Sequence, residues 1–463
     1  MNEFIPKEIL EIYKKLKDNG FEVYLVGGCV RNLLLNKDVK DWDFTTIATP
    51  IEIQNSFPHS FYDNAFGTVG VPFEAKDYNQ TNEYEKNYVE ITTFRLEKDY
   101  RDFRRPQVVQ WGRSIKDDLS RRDFTINAIA LKLEASSQGC TYEIIDPFDG
   151  QKDLENKIVR AVGDPKQRFK EDALRLIRGV RIATEYSFAI EENTWKEIVN
   201  DAKLIKEVSG ERIQTELLKI LATDHAYEGI ILLKDSNLLQ NILPELLLGV
   251  GVSQVRPGRH HTTDVFTHNV LSLKFCPSTH PIVSFATLLH DIGKPKVAKQ
   301  DEQGLVVFHN HEIVGARMVR QICERLHFSK KDRDKIVNLI RWHMFTVDEK
   351  ITDAAVRRFI RRVGVENVKD MMDLRIGDRL GGGTQTAQSW RLKLFKKRIE
   401  DQLQPAPFSI NDLAIDGNDV MKTLNIKPGP KVGQILQKLF EEVDEDLTKN
   451  KKEYLLKRIK ELG

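Results

Sequence analysis

Residues 24–31 read Tyr24-Leu25-Val26-Gly27-Gly28-Cys29-Val30-Arg31, and residues 40–44 read Lys40-Asp41-Trp42-Asp43-Phe44. The apolar run Tyr24–Val26 predicts a short strand. Gly27-Gly28 breaks it where a backbone must approach something closely. The stretch from Val30 to Leu35 can open a helix, whose N-terminus favours anions. Asp41 and Asp43 are two apart, so within a strand both carboxylates point to one face. Carboxylates held side by side call for a cation, and hard oxygen ligands beside an anion cradle suit Mg²⁺. The combination predicts two-metal phosphoryl or nucleotidyl transfer.

Length and composition set the frame. A chain of 463 residues predicts two to four domains, and 40% hydrophobic content supplies core material. A formal net charge of +2 leaves nucleic-acid binding to local clusters. Cys29, Cys140, Cys276 and Cys323 show no CxxC spacing and read as buried free thiols in a reducing, cytoplasmic compartment. The first ten residues lack a signal-peptide pattern. No apolar run approaches ~20 residues, so no membrane span is expected.

Short apolar runs alternate with turns through residue 140: Tyr24–Val26, Phe44–Thr46, Val69–Pro72, Tyr88–Thr92 and Val108–Trp111. From about Asp153 the pattern becomes helical, as in Leu174, Ile177, Val180 and Arg181, and again in Ile213, Leu217, Leu218 and Leu221. Breaks fall at Gly249–His261, Gly381–Thr384 and Gln404–Pro407. The closing segment, Glu441–Leu462, is charged and helical.

The GG and DxD elements together resemble the DNA polymerase β-type nucleotidyltransferase superfamily. The resemblance implies that the glycines, Gly28 among them, meet a triphosphate, that Asp41 and Asp43 hold Mg²⁺, and that a third carboxylate sits on a neighbouring strand. Glu90 is the candidate. Arg121-Arg122-Asp123-Phe124-Thr125-Ile126-Asn127-Ala128 resembles a motif of class II tRNA nucleotidyltransferases and bacterial poly(A) polymerases. Arg122 can fork onto phosphate oxygens. Asp123 can accept from a ribose hydroxyl, and Asn127 can brace the backbone. Arg31 would offset triphosphate charge.

Glu171-Asp172-Ala173-Leu174-Arg175 opens a run predicted to be helical through Arg181, with Asp172, Arg175, Arg178 and Arg181 three apart. An ion-paired solvent stripe has the same spacing, but Leu174, Leu176, Ile177 and Val180 make a half-buried polar seam the better reading. The block resembles the family's EDxxR motif, which implies a protein template for the base. Asp172 would accept from the exocyclic amine of cytosine or adenine, and Arg175 would donate to the adjoining ring edge. Uracil O4 and guanine O6 would face the carboxylate acceptor to acceptor, which discriminates strongly. Arg178 and Arg181 would continue toward the phosphates. Asp146–Leu154 resembles the family hinge, and the segment opened by Gly210-Glu211-Arg212-Ile213 resembles a scaffold motif of the neck. The one departure is Asn32, where the family usually has Asp.

The charged segment Phe94–Pro106 reads as a mobile loop. In the family such a loop lets the pocket pass from CTP to ATP, so the resemblance implies addition of the terminal A. An A-adding enzyme or a poly(A) polymerase shares that signature.

Farther on, His268, His290-Asp291, His311, His343 and Asp378 are spread over about a hundred residues of helical pattern. A His-Asp pair at the end of an apolar helix resembles the HD-domain phosphohydrolases. That implies one metal held by His268, His290, Asp291 and Asp378. Imidazole with carboxylate suits Mn, Ni, Co, Fe or Zn. His311 and His343 would bind phosphate or a second metal. A phosphohydrolase whose head merely binds RNA is the reading from another class. In the tail, Lys427-Pro428-Gly429-Pro430-Lys431-Val432-Gly433 fits either a phosphate-gripping turn or a helix start after proline.

The sequence thus predicts an elongated multidomain chain. An α+β head of the nucleotidyltransferase fold (1–145) precedes an all-α neck (146–230), an HD-type body (231–385) and a tRNA-binding helical tail (386–463). The activity implied is Mg²⁺-dependent addition of CCA to tRNA from CTP and ATP. The sequence carries no signal for oligomeric state.

Overall fold

Every residue of the strand Val23–Val26 (β1) is buried, and the head is built outward from it. The computed structural model describes residues 5–64, 67–73, 88–101, 105–112, 114–136, 139–254, 263–345, 347–348, 350–384, 386–403 and 409–463. They form two compact units: Met1–Leu247 with Arg325–Phe328, and Leu248–Glu324 with Ser329–Gly463. Head and neck fall in the first unit. Most of the body falls with the tail in the second.

In the first unit β1 joins Asp43–Thr46 (β2), Phe61–Asn64 (β3), Thr68–Pro72 (β4) and Tyr88–Thr93 (β5). Arg95–Arg101 (β6) and Arg105–Trp111 (β7) follow, then Ala130–Ser136 (β8) and Gly139–Ile145 (β9). Seven of these strands make one sheet in the order β3-β4-β5-β2-β1-β8-β9. Within this sheet, among the described residues, β2 and β5 run parallel and the other ladders antiparallel. The helix Lys7–Asp18 buries Ile9, Ile12, Tyr13 and Leu16, a one-faced helical spacing. Tyr13 fixes it to the sheet: its hydroxyl donates to Val23 O (2.9 Å) and accepts from Leu133 N (2.8 Å).

Two expectations change here. The segment Phe94–Pro106 was anticipated as a mobile loop. The backbone of its residues Arg95–Arg101 and Arg105–Pro106 is strand, in the antiparallel hairpin of β6 with β7, rather than loop, while Asp102–Arg104 lie outside the described residues. Tyr100, Val108 and Val109 carry strand propensity that the surrounding charges mask. The neck helix, in turn, does not run on from Glu171. One helix ends at Glu171 and the next spans Leu174–Tyr186. Asp172 lies between them in extended backbone (φ −145°, ψ 106°), and its carboxylate accepts from Leu174 N (3.1 Å). An aspartate's preference for capping outweighs helix continuation.

In the second unit the tail core comprises Leu413, Ile415, Val420, Val432, Ile435, Leu439, Phe440, Val443, Leu455 and Ile459. Gly429 precedes the helix Pro430–Glu445, so this proline-glycine turn is a helix start. Asp444 on that helix is buried and accepts from Arg357 Nε (2.8 Å) and Arg361 Nη2 (2.5 Å). Asp444→Ala would leave the buried Arg357 charge uncompensated. It is expected to destabilise the unit by about 3 kcal/mol or more, read as a lower midpoint in urea unfolding. An unchanged midpoint would deny this pair its role.

Candidate active site

The parallel register of β2 and β5 sets Asp43 directly opposite Glu90, so both side chains leave the same face of the sheet. Asp41 lies in the bend just before β2 and is exposed; only Asp43 is within the strand. The donors that Asp43 and Glu90 offer are carboxylate oxygens, a type that fits Mg²⁺.

Gly27 explains the double glycine. It has φ +77°, and a Cβ there would lie 3.0 Å from Arg122 Nη1 and 3.2 Å from Asp43 Oδ2. Arg122 and Asp43 therefore both border the space over a bare α-carbon. A Cβ at Gly28 would make only ordinary contact, 3.5 Å from Arg31 Nη2. Gly27→Ala is expected to strain the backbone by ~1–2 kcal/mol and to displace both side chains. The fold should survive while nucleotide addition falls at least about tenfold, one decade per 1.36 kcal/mol. A melting curve beside single-turnover addition would check this, and wild-type activity would remove Gly27 from the site.

Arg122 is aimed by Asp118, a fully buried residue that the sequence reading missed. Asp118 accepts from Arg122 Nη2 (3.3 Å) and from Arg121 Nε (3.0 Å) and Nη2 (2.7 Å). Burial pushes its carboxyl up, but the two guanidinium groups outweigh that and hold it below the usual range.

Four residues expected on the nucleotide have protein partners in this structure. Asp123 accepts from Phe124 N (2.8 Å), Asn127 Nδ2 (3.0 Å) and Arg178 Nε (2.8 Å), and Arg178 Nη2 pairs with it at 2.6 Å. Those contacts brace the motif against the neck. Burial raises the Asp123 carboxyl, but Arg178, Asn127 and Arg175 bring it well below its ordinary value. Arg178 is thereby held by Asp123 and lies 3.8 Å from Glu216. Arg181 is held by Glu216 (2.6 Å) and Glu185 (2.7 Å). Arg31 is buried: it donates to Asn127 Oδ1 (2.6 Å), Asn32 Oδ1 (3.1 Å) and Tyr186 Oη (2.6 Å), with its guanidinium 4.4 Å from the Tyr186 ring centre. Tyr186 donates in turn to Asn32 Oδ1 (2.7 Å), so the amide that departs from the family pattern closes this network. Among these partners, Asp123, Asn127 and Glu216 are distant in sequence from the arginines they hold, so linear spacing does not reveal them.

The base-reading candidates lie side by side, each in a fixed setting. Asp172 receives a fork from Arg212, Nη2 to Oδ2 at 2.8 Å and Nη1 to Oδ1 at 3.3 Å. Arg175 donates to Glu171 Oε2 (2.8 Å), Arg168 O (3.0 Å) and Arg121 O (2.8 Å). Asp172 stays about one-fifth exposed, which leaves an edge for a ligand. Arg212 belongs to the motif read as scaffold; here it is the direct partner of Asp172.

In the second unit, Gly377 and Gly381 flank Asp378. A Cβ at Gly377 would lie 2.5 Å from Ser272 O, and one at Gly381 would lie 2.6 Å from Ser272 N. The helices Val265–Phe275 and Val368–Gly381 consequently press together. This brings Asp378 Oδ1 to 3.3 Å from His268 Nε2 and 3.6 Å from His290 Nε2. Asp291 Oδ2 is 3.3 Å from each of those nitrogens. The four expected ligands therefore converge. Burial disfavours charge on His290, but Asp291 and Asp378 outweigh it and raise the imidazole to about 10. His311 and His343 stand on the far side of Asp291, 3.1 and 3.6 Å from its Oδ1.

Comparison with known proteins agrees with the head geometry. Residues 23–160 match the Poly A polymerase head domain, 187–248 the "Probable RNA and SrmB- binding site of polymerase A", and 299–459 tRNA nucleotidyltransferase domain 2. A CCA-adding enzyme of Pediococcus pentosaceus is 31% identical over 455 residues, 97% of this chain and 96% of that one. One from Enterococcus faecalis is 46% identical over 221 residues, 48% of this chain and 50% of that one. The crystal structure of the Bacillus stearothermophilus CCA-adding enzyme in complex with CTP superposes with a TM-score of 0.69 at 25% identity, covering 98% of this chain and 96% of that one. No helix among the described residues is long and apolar enough to cross a membrane. With near-complete coverage at this identity, and a nucleotidyltransferase head to match, the chain belongs to the family of CCA-adding enzymes.

Proposed function

We propose that this chain adds C, C and A to the 3′ end of tRNA from CTP and ATP, with the base chosen by protein side chains. The observation that carries this is that Asp43 and Arg122 both border the bare α-carbon of Gly27, with Glu90 in register beside Asp43. Asp41, Asp43 and Glu90 would hold Mg²⁺. When bound, the ion supplies Lewis acidity to the α-phosphate and lowers the pKa of the attacking hydroxyl. Arg122, aimed by Asp118, offsets charge on the triphosphate. The 3′-hydroxyl oxygen bonds to the α-phosphorus, the bond to the β-phosphate oxygen breaks, and pyrophosphate leaves. Asp172, paired with Arg212, accepts from the amine of cytosine or adenine. Arg175 exchanges its contacts to Glu171 and the two carbonyls for the ring edge.

The test is addition to tRNA lacking its last three nucleotides, with CTP, ATP or both. Growth by two with CTP and by three with both is the expected result. Extension by ATP alone, and only of tRNA ending in CC, would make it an A-adding enzyme. Extension of an unrelated RNA primer would make it a poly(A) polymerase.

The histidine-aspartate cluster favours a second reading, a metal-dependent phosphohydrolase site in the body. Its donors, imidazole with carboxylate, fit Mn, Fe, Co, Ni or Zn better than Mg. Release of phosphate from a phosphomonoester, lost on chelation and restored by Mn²⁺, would test it. We also place the protein in the cytoplasm, which accords with free thiols at Cys29, Cys276 and Cys323.

A further inference from the structure

We infer that Lys219 meets the triphosphate of the incoming nucleotide, the role expected of Arg178 and Arg181. The inference rests on the reading of the head as a nucleotidyl-transfer site and names a further residue that touches its substrate. Lys219 belongs to the helix Gly210–Leu221. On that helix Arg212, Glu216 and Lys219 are spaced by four and then three residues, so they line up along one face. Arg212, at the start of the row, forks onto the base reader Asp172. Glu216, in the middle, holds Arg181 at 2.6 Å and lies 3.8 Å from Arg178. Lys219 ends the row.

The surroundings of Lys219 say what that end of the row meets. The charges that act on its ammonium are those of Glu216, Arg181, Arg178 and Asp41. Asp41 lies in the bend before β2 and is one of the expected Mg²⁺ ligands. The row therefore runs from the group that reads the base to the group that holds the metal. Seven helical residues at 1.5 Å each cover about 10 Å, the reach of a nucleotide from its base to its phosphates. A lysine placed only for solubility has no reason to end such a row beside a metal ligand.

The cations on this face also differ in their partners. Arg178 is paired with Asp123, and Arg181 with Glu216 and Glu185. Among the described residues no hydrogen bond or ion pair holds Lys219, and the residue reaches solvent. Its ammonium is a compact charge with three donors on a flexible four-carbon stem. Such a group can follow phosphates that shift when a purine replaces a pyrimidine. An arginine fork fixed to a carboxylate is less free to do so.

Initial rates of CMP addition to tRNA lacking CCA test the inference, with inorganic pyrophosphate and free CMP as competitors against CTP. Competition against CTP reads the head site alone. Lys219→Met and Lys219→Gln are expected to raise KM for CTP and the inhibition constant of pyrophosphate by about tenfold or more, the worth of one hydrogen bond to a charged group. The inhibition constant of CMP, which lacks the β- and γ-phosphates, should stay at its wild-type value. Lys219→Arg should recover most of the loss. Unchanged KM and pyrophosphate inhibition beside active wild type overturn the role of Lys219 and leave the function standing. An equal loss for CMP overturns it too, because the residue would then only support the fold. A wild-type chain that adds no nucleotide overturns the reading of the head and the inference with it. Partial unfolding lowers kcat without altering either inhibition constant, so their ratio decides the matter for a weakened variant as well.

Discussion

Asp43→Asn is expected to cut nucleotide addition by about a thousandfold or more while tRNA binding stays near wild type. The substitution keeps size and shape but removes the negative charge opposite Glu90 in the β2–β5 register. An ion worth several kcal/mol of transition-state charge stabilisation would lose its central ligand, and each 1.36 kcal/mol is a decade in rate. Single-turnover incorporation of CMP, beside a gel-shift titration with tRNA, separates chemistry from binding. Activity within tenfold of wild type would move the metal away from Asp43. An equal fall in tRNA affinity would make the effect structural.

Asp172→Ala should act on choice rather than chemistry. A site whose buried polar groups must be matched can reject a wrong partner by 10⁴–10⁵-fold. With the carboxylate gone, uracil O4 and guanine O6 no longer face an acceptor. The preference for CMP over UMP on tRNA lacking CCA is expected to fall by about a hundredfold or more. Correct incorporation should slow as well, because Arg212 loses the partner it forks onto. Competition between CTP and UTP reads the ratio independently of enzyme concentration. An unchanged ratio would mean that the base is read elsewhere.

The parts of this molecule legible in the sequence were those with local causes. The apolar runs at Tyr24–Val26 and Tyr88–Thr92 became strands because alternation and β-branched residues act over a few positions. The RRDFTINA block, the EDxxR block and the histidine-aspartate pair stood out for the same reason, since each packs its chemistry into a short string. The partners that decide what those strings do were not legible. Asp118, Glu216, Arg212 and Tyr186 lie distant in sequence or look like ordinary surface charge, yet they occupy Arg122, Arg181, Asp172 and Arg31. The helical spacing of Asp172, Arg175, Arg178 and Arg181 suggested one row of side chains meeting one nucleotide. A cap at Asp172 breaks that row, and opposing carboxylates capture its last two members. Period alone cannot separate a cation awaiting a phosphate from one already matched to an acid in the fold.

The neck helix Leu174–Tyr186 meets head residues at two points. Arg178 joins Asp123 and, eight residues on, Tyr186 joins Arg31 and Asn32, while Asn127 links Asp123 to Arg31. Two bolts on one rigid rod leave it unable to slide or pivot against the plate that carries Gly27 and Asp43. The gap between the catalytic face and the base reader is then a fixed gauge. An enzyme that must accept a pyrimidine twice and a purine once therefore has to reset its reader from within. On the proposed reading, that resetting falls to the Asp172–Arg212 and Arg175–Glu171 pairs, inside a frame that holds its width.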